Sequence, residues 1–198
     1  MKLVLISDTH DQRLSDIPAG DVLIHCGDAF CGDDMASLRS DLAWIGALPH
    51  RWKLFVRGNH DLCLDWALRA HPPMVEKLLG AAGITLLRDA VVEIGGVKFW
   101  GVDWQSRVTI STGLDVIISH CPAKGMLDQR YPPNSEHLGD AWLAAQIAKV
   151  KPRLVVSGHF HGGYGKTDQN GTTFVNCSLT NEAQQTVNKP WVVELEER

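Results

Sequence analysis

Seven Asp, Asn and His side chains on five short patches could between them hold two adjacent divalent cations. The patches are Asp8-Thr9-His10, Gly27-Asp28, Gly58-Asn59-His60-Asp61, Ser119-His120 and Gly158-His159-Phe160-His161. Each follows a short apolar run of strand type, so each donor stands where a strand gives way to a loop. Asp8 and His10, two apart in one turn, can converge on a single cation. The Asp28 carboxylate has two oxygens and can bridge two, Asn59 offers a neutral amide oxygen, and His120, His159 and His161 offer imidazole nitrogens. All are hard or borderline ligands suited to Mn2+ first, and to Fe, Zn2+ or Ni2+ as well. Cations held about 3.5–4 Å apart can share a hydroxide nucleophile and clamp phosphoryl oxygens during an in-line displacement.

Singly, these residues say little, because a strand-end Asp is usually a cap or turn former and a lone His is usually a surface or core residue. His25, His50, His71 and His137 are read as structural. The chemistry is carried by the ordered set.

The elements that must position that set alternate short apolar strands with amphipathic helices, the pattern of α/β layering. Lys2–Ile6 and Asp21–His25 are nearly continuous in Leu, Val and Ile, as in strands buried on both faces. Met35, Leu38, Leu42 and Ile45 make one helical face over Asp33–Leu48, and Trp52–Val56 is the next strand. Val75, Leu78, Leu79 and Ala82 form a second stripe, closed near Gly80 or Gly83. Val91–Ile94 and Val97–Trp100 flank Gly95-Gly96 as a hairpin. Leu114–Ser119 is a strand, followed by a loop through Pro133 and a helix over His137–Val150. Arg153–Ser157, Thr172–Asn176 and Trp191–Leu195 complete the strands. Strands outnumber helices and hairpins mix with crossovers, which fits two packed mixed sheets flanked by helices better than one doubly wound sheet.

At 198 residues and 44% hydrophobic, the chain can bury one substantial core and is expected to be a single domain over residues 1–198. Its net charge of −4, with no basic tract, argues against a nucleic-acid polymer as partner. The first apolar run is too short for a signal-peptide core, and no segment approaches the roughly 20 apolar residues of a membrane span. Cys26, Cys31, Cys63, Cys121 and Cys177 form no C-x-x-C pair and read as free thiols in a reducing cytoplasm.

The five blocks, in this order from Ser7 to about Asn176, resemble the signature of the calcineurin-like metallophosphoesterases. That resemblance implies a four-layer α/β/β/α sandwich. It implies that Asp8, His10 and His161 hold one metal, that Asn59, His120 and His159 hold the other, and that Asp28 bridges them. It also implies that His60 gives a proton to the leaving group, a task suited to an imidazole titrating near neutral pH. Asp61 could orient that imidazole as a supporting carboxylate, or cap a helix over Leu62–Arg69, and the two roles are compatible.

His120-Cys121-Pro122-Ala123-Lys124-Gly125-Met126-Leu127-Asp128 and the run from His159 to Gly165 are similar to the small cyclic-nucleotide-phosphodiesterase-like branch, as is Gly101-Val102-Asp103-Trp104-Gln105. Cys121 and Ala123 depart from its pattern, which touches the loop's rigidity and not the donors. The implied activity is a phosphodiesterase acting on cyclic nucleotides or other small diesters. Trp104 and Phe160, with Phe30 and Tyr131 behind them, are candidates to stack on a base, and Arg57 and Lys124 to meet phosphate. Rivals are a phosphomonoesterase or protein phosphatase on the same metals, a nuclease, and a non-catalytic scaffold with a retained metal site. Short, mildly charged loops disfavour a folded phosphoprotein, the acidic balance disfavours a nuclease, and the complete donor set disfavours a scaffold. Oligomeric state is left open.

Overall fold

Leu3 to Ile6 are apolar at every position, and both sides of the strand find a core. The computed structural model describes residues 1–30, 34–131 and 135–197. In one sheet β1 (Lys2–Ile6), β2 (Val22–His25), β3 (Trp52–Phe55) and β4 (Ile84–Leu86) run parallel. β11 (Trp191–Glu194) pairs antiparallel with the free side of β1, giving the order β11-β1-β2-β3-β4.

The second sheet has a parallel centre of β6 (Val97–Gly101), β7 (Val116–Ile118), β8 (Leu154–Ser157) and β10 (Thr172–Asn176). Antiparallel β5 (Ala90–Ile94) and β9 (Gly165–Gln169) form its edges, so its order is β5-β6-β7-β8-β10-β9.

Alternation along each strand sorts side chains between cores. Leu3, Leu5, Val22, Ile24, Phe99, Val116, Ile118, Leu154 and Val156 point between the sheets. Val4, Ile6, Leu23 and Phe55 point outward, onto α1 (Met35–Ala47), α2 (Leu62–Ala70) and α3 (Pro72–Ala82). On the far side Trp100, Ile117, Val155 and Phe174 meet Leu143, Ile147 and Val150 of α4 (Ala141–Val150). The result is the four-layer α/β/β/α sandwich of two mixed sheets.

Several boundaries move for identifiable reasons. The helix expected over His137–Val150 begins at Ala141, because the Asp140 carboxylate caps it by accepting from the N–H groups of Trp142 and Leu143. α3 ends at Gly83, whose φ of 64° is the left-handed cap, and Gly80 stays within the helix. The strand expected over Leu114–Ser119 is shorter, Val116–Ile118, since the Asp115 carboxylate takes the Lys98 N–H. Strands β4 and β9 were not expected. β4 has three residues, and β9 is a polar edge strand with little buried alternation. The helix start at Asp33, the Cys31 thiol and the loop end at Pro133 lie outside the described residues.

Phe99 is fully buried between the sheets. Phe99→Ala is expected to lower the unfolding free energy by about 3–5 kcal/mol, the range for an aromatic-to-alanine cavity. Urea denaturation monitored by tryptophan fluorescence checks this, and a loss under about 1 kcal/mol would mean the two sheets close over the gap.

Candidate metal centre

Every donor patch follows a strand of the parallel centres. Asp8 and His10 follow β1, Asp28 follows β2, Asn59 and His60 follow β3, His120 follows β7, and His159 and His161 follow β8. A lateral pairing of Ser7 with Ser178, with the Leu179 N–H 3.0 Å from the Ser7 carbonyl, joins the end of β1 to the segment after β10. The carboxyl ends of both sheets thereby open onto one face, the usual place for a ligand in parallel α/β sheets.

Two groups of donors form there: Asp8, His10 and His161, and Asp28, His120 and His159, each with ligand atoms within 4.8 Å of one another. His10 Nε2 lies 3.5 Å from His161 Nε2, and His161 Nε2 lies 3.5 Å from Asp8 Oδ1. His120 Nε2 is 3.2 Å from Asp28 Oδ2 and 2.9 Å from Asn59 Oδ1, which brings Asn59 into the second group. The second ring nitrogens explain this orientation. His120 Nδ1 donates to the Cys26 carbonyl at 2.7 Å and His161 Nδ1 to the Asn181 carbonyl at 2.8 Å. Each bond commits Nδ1 as donor and turns Nε2 toward the carboxylates, the arrangement that prepares a histidine for a cation. Buried oxygen and nitrogen donors facing one another at these distances fit two divalent cations.

The electrostatics agree. Burial alone would lower the pKa of His120, but the Asp28 carboxylate, with help from Asp8, outweighs it and raises the value to about 9. Asp8 is held well below the usual carboxylate range: burial works against this, and the hydrogen bond from His161 and the charge of His120 overcome it. His159 falls to about 4, through burial first and the neighbouring His120 charge second. Buried Asp61 rises to about 7 through desolvation and the charge of Asp28, against the pull of backbone N–H donors.

Those donors fix the role the structure gives Asp61. Its Oδ2 accepts from the N–H groups of Asp28 at 2.9 Å and Gly58 at 2.6 Å, and its Oδ1 from those of Ala29 at 2.9 Å and Phe30 at 3.1 Å. It stands at the start of α2 without capping it, and its bonds run to these two loops rather than to the His60 ring. His60 is exposed; its N–H donates to Asp28 Oδ1 at 2.8 Å and its ring lies 5.2 Å from that of His10.

Of the aromatic candidates, Trp104 packs on the edges of His120 and His159, with centroids 5.3 and 5.6 Å away. Phe160 is buried against His159, 4.6 Å between centroids, and borders the cleft. Phe30 is fully buried core, and Tyr131 is exposed under Arg130. Arg57 is engaged by carboxylates, paired with Asp103 at 2.8 Å and with Asp65. Lys124 lines a separate cavity beside α4.

Supporting residues escaped the sequence reading. Asn176 Nδ2 lies within 2.9–3.2 Å of the carbonyls of Leu127, Gly158 and Phe160, knotting two loops together. Ser178 Oγ donates to Asp8 Oδ2 at 2.6 Å and Thr180 Oγ1 to the Asp8 carbonyl at 2.9 Å. Buried His25 bonds Thr9 Oγ1 at 3.1 Å and the Gly27 N–H at 3.2 Å, so it too belongs to the support of the site. The only sequence signal was the position of Asn176-Cys177-Ser178 at a strand end. Gly58 and Gly158 are required by close approach: a Cβ on Gly58 would overlap Asp28 Oδ1, and one on Gly158 would overlap Ser7 Oγ.

Paired Asp/His groups at the carboxyl ends of two facing mixed sheets define a phosphoesterase fold. The chain belongs to the calcineurin-like phosphoesterase superfamily, whose domain model matches residues 1–197. It is 30% identical to the human metallophosphoesterase domain-containing protein 1 over 231 aligned residues, covering 98% of this chain and 71% of that protein. One solved structure superposes with a TM-score of 0.70 at 17% identity, covering 98% of this chain and 99% of the other. Phosphopantetheinyl hydrolase from Mycobacterium tuberculosis superposes at 0.61 with 16% identity, covering 92% and 90%. The family is that of metal-dependent phosphoesterases, hydrolases whose chemistry calls for divalent cations.

Two tests follow from this geometry. With its pKa near 9, His120 carries a proton at pH 7 that a cation must displace, whereas His159 is already neutral. His161, raised by Asp8 against the effect of burial, adds a further share. Titration calorimetry in buffers of different ionisation enthalpy is expected to show release of at least one proton on Mn2+ binding at pH 7; a buffer-independent heat would contradict the assignment. Asp61→Asn puts an amide where backbone donors converge and is expected to cost about 2 kcal/mol or more of stability in the metal-free protein. Unchanged stability with reduced turnover would instead return Asp61 to orienting His60.

Proposed function

We propose that the protein is a phosphodiesterase acting on small diesters, cyclic nucleotides among them, with Mn2+ as its native metal. The observation that carries this reading is the space around the donors. A cleft of about 350 Å3 opens on His10, Asp28, Asn59, His60, His159 and His161. A second cavity of about 470 Å3 lies on the other side of His120, beyond Trp104, and Leu138 borders both. A diester needs room for two substituents on one phosphorus; a monoester needs only one.

In this reading Asp8, His10 and His161 would hold one cation, and Asp28, Asn59, His120 and His159 would hold the other. Such cations, when bound, would supply Lewis acidity at phosphoryl oxygens and acidify water. The chain's own contribution is to place His60 at the rim of the cleft, where its imidazole can protonate the departing oxygen. Trp104 holds the rings of His120 and His159 in place and forms one wall of the second cavity, and Phe160 backs His159. Cys26, Cys121 and Cys177 carry free thiols, which suits a reducing compartment, and we assign the protein to the cytoplasm. None of the described helices is long and apolar enough to cross a membrane.

Metal-stripped protein reloaded with Mn2+ is expected to cleave bis-p-nitrophenyl phosphate faster than p-nitrophenyl phosphate. Preference for the monoester would move the reading to a phosphatase, and silence on both with two cations bound would make it a scaffold. His60→Ala is expected to keep both cations and lose about 10²–10⁴-fold in turnover on a diester with an alkoxide leaving group. Wild-type rates on that substrate would remove His60 as the acid.

A further inference from the structure

The second cavity has walls of its own chemistry. Trp104 forms one side, and facing residues include Arg107, Asp140 and Trp142. The Arg107 guanidinium carbon lies 5.3 Å from the centroid of Trp142, close enough for a cation–π contact. Its Nη1 lies 2.9 Å from Asp140 Oδ2 and donates to the Ser106 carbonyl at 2.7 Å. Asp140 is itself fixed, since its Oδ1 takes the N–H groups at the start of α4. The cavity is therefore lined by planar groups, and among the described residues none accepts from Arg107 Nε or Nη2.

The charges limit what can enter. Arg107 is neutralised by Asp140, and the neighbouring Asp103 by Arg57 and Arg88. Among the described residues no uncompensated cation lines the space, so a second anionic group gains nothing there. A planar, neutral occupant with hydrogen-bond acceptors gains stacking on indole and two unused guanidinium donors.

His60 borders the cleft and not this cavity. A proton donor must be within hydrogen-bond reach of the oxygen it protonates, so the leaving group departs on the cleft side. Resting on the diester reading above, we infer that the Trp104–Trp142 cavity holds the substituent that stays on phosphorus, and that this substituent is a neutral planar heterocycle. Water oxygen forms the new bond to phosphorus and gives up a proton to solvent, and the bond to the leaving oxygen breaks with its electron pair. That oxygen takes a proton from His60, which solvent then reprotonates, and the product is the monoester that keeps the heterocycle.

The test uses two diesters with one leaving group, thymidine 5′-p-nitrophenyl phosphate and methyl p-nitrophenyl phosphate, on the Mn2+-loaded protein. Wild type is expected to favour the thymidine ester by about tenfold or more in kcat/KM, the size of one stacking contact. Trp142→Ala and Arg107→Met are each expected to reduce that ratio severalfold through KM for the thymidine ester. Arg107 is exposed, so its variant guards against misfolding of the Trp142 one, and melting temperatures are taken for both. Equal kcat/KM for the two esters in wild type, or a ratio unmoved by both variants, would overturn the assignment while leaving the diesterase intact. No cleavage of either ester would overturn both readings.

Discussion

The Asp61 carboxylate is buried and accepts backbone N–H groups from the loop after β2 and from Gly58 after β3. The separation of those two loops decides where Asp28 and Asn59 stand, and hence whether one carboxylate can serve two donor groups. The same demand for convergence is written in the backbone. Asp8, His10, Asp28 and His159 all have left-handed φ values, between 46° and 66°. Such conformations cost on the order of 1–3 kcal/mol each and persist only where the surroundings over-determine them. Asp61, the His159 N–H on Asp8 and the three carbonyls gathered by Asn176 supply that determination.

The clamps also tie the sheets to one another. Arg57, just after β3 in the first sheet, reaches Asp103, just after β6 in the second, with two short bonds of 2.9 and 2.8 Å. Its pKa rises despite burial because Asp103 and Asp65 hold the charge. A cation fixed between two sheets acts as a spacer, and removing one partner of such a pair leaves a buried charge. Trp104 follows Asp103 directly, and its N–H bonds the Asp103 carboxylate, so the indole inherits its position from the opposite sheet.

How much of this was legible in the sequence depended on whether the cause was local. β1, β2 and β3 read clearly because a strand sandwiched between two cores has no polar face. β9 did not, because Lys166 to Gln169 lie on an edge where nothing apolar is required. The start of α4 was misplaced because Leu138 continues the helical stripe in sequence but stands, half exposed, on a cavity rim. The donors themselves were visible as residue types in a fixed order after strands. Their supports were not: Ser178 meets Asp8 across 170 positions of sequence separation, and nothing near either residue announces the contact. Asp61 was noticed, but whether it faced a ring or a backbone depended on how two distant loops fold against it.

The walls of the second cavity come from residues 102–105, Arg107 and residues 138–143 together with Ser119, His120 and Cys121. Only His120 among these is a candidate donor. Trp104 packs on His120 and His159 and Asp103 anchors Arg57, so these two are constrained along with the donors. Wall residues without such contacts, such as Gln105, Arg107 and Trp142, can accumulate substitutions under selection while the residues that shape the donors cannot. A lineage could change what it recognises several times over and keep the same hydrolytic core, with divergence concentrated in the loop after β6 and at the start of α4.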